Sequence, residues 1–319
     1  MFLGIEIGGT KLQLGVGADD GNLRGLWRGG VDVAAGPEGI RRQIVAAVPE
    51  LLAKGGIERG QLRGVGIGFG GPVDDATHTV IKSHQIEGWD NFPLADWIAE
   101  VVGLPAVLGN DADVAGLAEA LQGAGKGLSP IFYITIGSGI GGGFIVNGGI
   151  YRGCGRGGAE IGHLRVAIPR LDLPGDPLEY GPLESIASGW GIEFFFRQLA
   201  ERYPHELIRL AAEPNNITTH HLAEVMANGD WDVRRFFDIP LECLAEAICH
   251  VISLLCPRRI VIGGGVSLMG EKLLFEPLRR MVAERVFKPF AGLTDIVPAA
   301  LGEEVVVHGA IALAHKRFG

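Results

Sequence analysis

The sequence predicts a duplicated α/β fold in two lobes. Apolar runs at residues 2 to 7 and 11 to 17 flank Gly8-Gly9-Thr10, and the same plan returns at 131 to 136 and 144 to 146 around the glycine-rich stretch Gly137 to Gly143. Strand-like runs also alternate with helical patterns along most of the chain, the mark of an α/β layered architecture. With 319 residues, 47% of them hydrophobic, the chain is long enough to bury the cores of two lobes.

The first two apolar runs read as a β-hairpin, and a glycine turn between them can present backbone N–H groups to an anion. Read by itself, that stretch is better taken as a plain hairpin turn. A third strand is expected near Arg24 to Val31, then a helix from Pro37 to Lys54 with Ile40, Ile44, Val48 and Leu51 on one face. Leu62 to Phe69 reads as a strand running into Gly70-Gly71-Pro72-Val73-Asp74, where glycine lets a ligand approach the backbone. Leu94 to Val102 is a helix, and Pro105 to Leu108 a strand ending at Gly109-Asn110-Asp111-Ala112-Asp113, which opens a helix through Leu121. A carboxylate at such a junction faces the crevice used for catalysis in α/β proteins. The other use of aspartate there is an N-cap, which suits Asp113 better than Asp111.

In the second copy, Asn147-Gly148-Gly149 supplies the polar turn. Gly137 to Gly142 also matches G-x-G-x-x-G, but a strand-like run follows it, whereas a dinucleotide fingerprint must open a helix. Ser185 to Arg202, 219 to 228 and 231 to 256 are helical patterns, the last expected to be divided by Pro240. Leu241, Leu244, Ile248, Val251, Ile252 and Leu255 form an apolar stripe that belongs in a core. Arg258 to Ile262 is a buried-type strand entering Gly263-Gly264-Gly265-Val266, followed by a helix to about Phe287, and Glu303 to Arg317 closes the chain as a helix.

Charge and cysteine usage narrow the function. The formal net charge is −9, from 28 basic and 37 acidic residues, and basic residues form no cluster, so a nucleic-acid or membrane partner is not expected. A signal peptide and a spanning helix are both missing from the pattern, which points to the cytoplasm. Cys154, Cys243, Cys249 and Cys256 lack the spacing of a disulfide framework or a zinc site, and the last three read as buried thiols of one helical region.

Polar residues set among small and apolar neighbours mark a pocket for a polyhydroxylated ligand: Asn110, Asp111, Glu160, His163 and Glu184. The motifs Gly-Gly-Thr at 8 to 10, Asn-Asp at 110 to 111, Glu-Ile-Gly-His at 160 to 163 and Gly-Gly-Gly-Val at 263 to 266, in this order across nearly the whole chain, resemble those of the ROK family of sugar kinases and sugar-responsive repressors. The resemblance implies the actin-like, hexokinase-like fold, also described as ribonuclease H-like. It places a small lobe at residues 1 to 113, completed by the helix at 303 to 319, and a large lobe at 114 to 302.

The function so implied is ATP-dependent phosphorylation of a hexose or hexose derivative, glucokinase-like, with a homodimer expected. Asp111 would take the proton of the attacking hydroxyl. Gly71, Gln85, Asn110, Glu160, His163 and Glu184 would hold the sugar, Gln85 standing where the family usually has Asn, within a stretch that includes His84 and ends in Gly88-Trp89. Trp89 itself reads as packing. Gly8, Gly9, Thr10 and Lys11, with Gly137, Ser138 and Gly139, would hold phosphates, while Gly264 and Gly265 would lie against adenosine.

Two departures stand out. The family's first motif begins with Asp, which helps place Mg²⁺ through water, and this chain has Glu6, the same charge about 1.5 Å farther out. Many members also carry a Cys-x-Cys-Gly-x-x-Gly-Cys zinc run after the histidine, whereas residues 164 to 183 here contain no cysteine, so no zinc is expected; Pro169, Pro174, Pro177 and Pro182 stiffen that segment instead. The alternative function is a sugar-binding regulator that does no chemistry. The family's repressors carry a helix-turn-helix ahead of the first strand, and here the strand pattern starts at residue 2, which argues against DNA binding.

Overall fold

A computed structural model describes the chain except residues 19, 84, 156, 169 to 178, 204 to 206, 208, 209 and 211 to 213. His84, Pro169, Pro174, Pro177 and part of the irregular stretch after Arg202 therefore lie outside the described residues. The chain forms two compact units: Met1–Tyr133, Gly143–Gly158 and Ala300–Gly319 make the first, Ile134–Gly142 and Ala159–Ala299 the second.

The first unit holds a five-stranded sheet in the order β3-β2-β1-β4-β7, from β1 (Phe2–Ile7), β2 (Lys11–Gly17), β3 (Leu23–Gly30), β4 (Val65–Phe69) and β7 (Ala106–Asn110). β1 and β2 form the expected antiparallel hairpin, while β1, β4 and β7 run parallel. β1 and β4 are buried along their whole length, so their residues read as continuous apolar runs and not as an alternation. A short pair, β5 (Val73–Asp74) and β6 (Thr79–Val80), follows the Gly70-Gly71 turn.

Helices cover this sheet. α1 (Gly36–Gly55) has Pro37 in its first turn and ends at Gly56 in the left-handed conformation, and it buries Ile40, Ile44, Ala47, Val48 and Leu51. α2 (Leu94–Val102) buries Leu94, Ile98 and Val102. Trp89 is buried edge-on between Phe69 and Phe92, so it packs as expected.

The second sheet repeats the first strand for strand. Its order is β10-β9-β8-β13-β14, from β8 (Ile131–Ile136), β9 (Ile140–Val146), β10 (Gly149–Ile150), β13 (Arg259–Gly263) and β14 (Asp295–Pro298). β9 begins at Ile140, inside the glycine run, and Asn147 and Gly148 both take positive φ in the turn to β10, the geometry of a tight hairpin. β11 (Arg165–Ile168) pairs antiparallel with β12 (Glu179–Pro182).

Among the described residues, helices of the second unit differ from the sequence pattern at three points. The stretch expected as one helix from Ser185 is split into α4 (Glu184–Ala187) and α5 (Gly189–Arg202) at Ser188, which turns extended and caps α5 by accepting from Gly191 N–H. The reason is a docking contact: Gly189 N–H donates to Gly137 O at 2.7 Å. After α6 (Thr219–Ala227), the helix expected to divide at Pro240 is continuous as α7 (Trp231–Leu255). Phe236, Phe237, Leu241 and Leu244 are buried on either side of the proline, and that packing outweighs one lost backbone hydrogen bond.

The helical region after β13 is also shorter than expected. It passes through a 3-10 turn at Gly265–Met269 and a wide turn at Glu271–Phe275 before α8 (Glu276–Arg285), and ends before Phe287. Cys243 and Cys249 are buried as expected, with burial pushing the Cys243 thiol up to about 12. Cys256 is half-buried at the end of α7.

Two further helices belong to the first unit. α3 (Asp111–Leu121) is buried from Ala112 to Ala120, and α9 (Val305–Phe318) buries Val306, Val307 and Gly309 to Ala314. α9 packs on β1, β4 and α3. Glycines make this close: a methyl group at Gly66 would overlap the carbonyl oxygen of Ala310, and one at Gly309 that of Val114.

Candidate active site

In the first unit, strand register gathers the predicted residues into one row. Ile7 pairs with Phe69 and Phe69 with Asn110, so the carboxyl ends of three parallel strands coincide, and Gly8, Gly70 and Asp111 follow them directly. Hydrogen bonds lock the row: Gly70 N–H donates to Ile7 O at 2.8 Å, and Asn110 Nδ2 donates to Gly71 O at 3.1 Å. A methyl group at Gly70 would lie 3.4 Å from Asp111 Oδ2, so this half-buried carboxylate stands beside the Gly70-Gly71 turn.

The cap of α3 is Asn110, not Asp113. Asn110 Oδ1 accepts from Ala112 N–H at 2.9 Å and Asp113 N–H at 3.2 Å. Asn110 thus caps the helix with its oxygen while its nitrogen holds Gly71. Asp113, in the first helical turn, is 4% exposed and faces Arg152, whose Nη1 lies 3.9 Å from Asp113 Oδ2 and 2.6 Å from Asp75 Oδ1. Burial raises the Asp75 carboxyl, with Arg152 opposing it. Arg152 was not singled out by sequence, although a lone arginine between Gly148-Gly149 and Gly153 was the available signal.

Glu6 lies on β1 just before the glycine turn, 5% exposed, with Oε1 3.0 Å from Lys11 Nζ and Oε2 buried without a hydrogen-bond partner. Burial pushes its carboxyl up to about 7; Lys11 opposes this, and Asp111 and Glu304 add to it. The other predicted members of this group are at the surface of the hairpin turn. Gly8 N–H donates to Lys11 O at 3.0 Å, Thr10 is exposed, and the Gln85 side chain lies directly over Gly9, where a methyl group would overlap its amide oxygen. Gln85 is therefore beside the glycine turn as well as in the loop predicted to meet sugar.

In the second unit, Glu160-Ile161-Gly162-His163 forms a 3-10 turn pinned by Ile161, which is buried, and by Gly162, where a methyl group would overlap Ile140 O. Glu160 and His163 are left exposed on it. His163 Nδ1 lies 4.0 Å from Glu184 Oε1, and Glu184 Oε2 accepts from Ile140 N–H at 3.4 Å. A methyl group at Gly139 would stand 3.1 Å from the same oxygen, so the glycine turn and the Glu184 carboxylate adjoin.

Gly264 completes this group. With φ of 84° it places its backbone against Ile136, where a methyl group would come within 2.6 Å of Ile136 O. Gly265 has open space beside it, and Ser138 is exposed at the tip of the turn. The second unit thus brings Gly137, Gly139, Glu184 and Gly264 together, with Glu160 and His163 adjoining. Among the described residues, no three His, Cys, Asp or Glu side chains cluster as a metal site.

The donor set at Glu6 fits Mg²⁺. It offers a carboxylate with an unpartnered oxygen and a second carboxylate close enough to raise its proton affinity.

The chain resembles known proteins along nearly its whole length. The family model described as "ROK family" matches residues 2–317. The glucokinase of Thermotoga maritima is 32% identical over 323 residues, covering 100% of this chain and 98% of the relative. An N-acetyl-D-glucosamine kinase of Yersinia pseudotuberculosis is 28% identical, covering 98% of each. Among solved structures, a ROK family glucokinase from Streptomyces griseus in complex with glucose and AMPPNP superposes with a TM-score of 0.79 at 29% identity, covering 99% of both chains.

Proposed function

The chain belongs to the ROK family and is an ATP-dependent sugar kinase, and from that premise we propose that it transfers the γ-phosphoryl group of ATP to a hydroxyl of glucose or a closely related hexose. The observation that carries this reading is the row formed by Gly8, Gly70 and Asp111 at the carboxyl ends of three parallel strands. Phosphoryl transfer asks a protein mainly for positioning and charge stabilisation. Asp111 accepts the proton of the attacking hydroxyl as its oxygen bonds to phosphorus and the bond to the ADP oxygen breaks.

Asn110, the Gly71 backbone, Gln85, Glu160, His163 and Glu184 hold sugar hydroxyls. The peptide groups of Gly8, Gly9 and Thr10 with Lys11, and those of Gly137, Ser138 and Gly139, hold phosphates, and Gly264 and Gly265 border the adenosine. Glu6 would hold Mg²⁺ through water, and the ion supplies neutralisation of the phosphate charge when bound. We propose a cytoplasmic homodimer with no nucleic-acid partner; light scattering of the purified protein at micromolar concentration decides the dimer.

Asp111→Asn tests the mechanism. It keeps size and most hydrogen bonding but removes the proton acceptor, so turnover falls by ~10² or more while sugar affinity changes far less. The assay starts with glucose, mannose, fructose, allose and N-acetylated hexosamines with ATP and Mg²⁺. A wild-type protein that binds one of these without phosphorylating it would be the sugar-binding regulator instead, a reading favoured only by the buried Glu6 in the place of Asp. Equal turnover in wild type and Asp111→Asn would remove this carboxylate from the chemistry.

A further inference from the structure

Glu119 is a carboxylate in the last turn of α3, fully buried at 0% exposure. Burial of a charge is costly unless hydrogen bonds satisfy it. Here backbone amides from two separate segments do so. Glu119 Oε1 accepts from Ala300 N–H and Leu301 N–H, both at 2.9 Å, and Oε2 accepts from Ala124 N–H at 2.7 Å. Among the described residues no lysine or arginine forms an ion pair with it, so its bonds act on backbone position.

The segment it holds leads directly to the phosphate side of the site. Leu301 precedes the 3-10 turn Gly302–Glu304. The carbonyl of Glu303 in that turn accepts from Lys11 Nζ at 3.0 Å, and the same nitrogen lies 3.0 Å from Glu6 Oε1. Glu304, next in the turn, pairs with Arg28 on β3. Lys11 thus has two anchors, and only one of them is a carboxylate on its own hairpin. The other is a carbonyl whose place depends on the turn at 300 to 304.

We propose that Glu119 is a positioning residue for Lys11: by fixing Ala300 and Leu301 it sets the Glu303 carbonyl, and that carbonyl, with Glu6, aims the Lys11 ammonium at the phosphates. This rests on the kinase reading for what Lys11 does, but not for where Lys11 is held. A displacement of about 1 Å in such a group is enough to cost up to ~10² in rate.

The test uses Glu119→Gln in the full chain, with Glu119→Asp, the same charge one methylene shorter, as the second variant should Glu119→Gln fail to fold. Competitive amine acylation read by mass spectrometry follows Lys11 against the exposed Lys54 and Lys316. Lys11 is expected to react several-fold faster in the variant, with both controls unchanged. In kinetics, turnover falls by about tenfold or more and the ATP KM rises while the sugar KM holds. Added to Lys11→Met, Glu119→Gln should cost little more, since the two residues act through one contact. Unchanged Lys11 labelling overturns the proposal whatever the activity, and so do losses that multiply in the double variant. A wild-type protein that phosphorylates no sugar fails the kinase reading alone, because the labelling comparison still decides how Lys11 is held.

Discussion

At the scale of single residues, Glu6 is a buried carboxylate beside the glycine turn. Its folded-state carboxyl is pushed from 4.5 to about 7, chiefly by burial, with Lys11 only partly offsetting it. A group raised on folding contributes stability that is fully present below its unfolded value and is lost as pH rises through the folded one. The wild type should therefore lose stability between about pH 5 and pH 8, through the titration at about 7. Glu6→Gln cannot ionise and should show a flatter profile across that window; thermal melts at several pH values measure it, and parallel profiles would show that Glu6 does not titrate there. Asp295 behaves in the opposite sense: its hydrogen bond to Arg259 holds its carboxyl below the usual range, so its contribution is lost as pH falls. Glu6 was legible in the sequence as a departure from a family motif, but its raised carboxyl was not, because it depends on burial and on charges as distant in sequence as Glu304.

Elements were legible where periodicity and turn chemistry act locally. α1, α2 and α3 and the first hairpin follow the sequence pattern to within a residue or two. The misreadings at Ser188 and Pro240 have one physical origin, since a long-range contact decided each: Gly189 on Gly137 broke one helix, and a buried apolar flank kept the other whole. The same holds for capping, where Asn110 won over Asp113 because it also had Gly71 to hold. Close packing of α9 gives a prediction at this scale. Gly66→Ala and Gly309→Ala each press a methyl group into a backbone carbonyl, and each should cost roughly 1–3 kcal/mol by urea unfolding. Gly60→Ala, with no atom within 4 Å, should be near neutral; equal effects at all three positions would mean that the α9 contact has slack.

For the whole molecule, the duplicated plan was readable because each copy repeats strand, glycine turn and strand, and the two sheets keep matching strand orders. The compact units do not follow chain order, since residues 143 to 158 join the first unit by packing that no local pattern in the sequence marks. Metal content belongs to this scale too. With no cysteine in residues 164 to 183, the purified protein should hold no stoichiometric zinc, and chelation should leave its melting temperature unchanged. Elemental analysis finding one zinc per chain would show that the protein builds a zinc site without that cysteine run.

α9 also bears on how the protein is made. The sheet it packs against begins at Phe2, and α9 itself begins at Val305, so a ribosome has polymerised nearly all of the chain before that partner exists. Until then the glycines of β1 and β4 that receive α9 present open backbone on an apolar sheet face, the kind of surface chaperones bind. The second unit, whose segments all precede Ala300, has every residue it needs before α9 is translated, so the half of the molecule that is written first is the half that matures last.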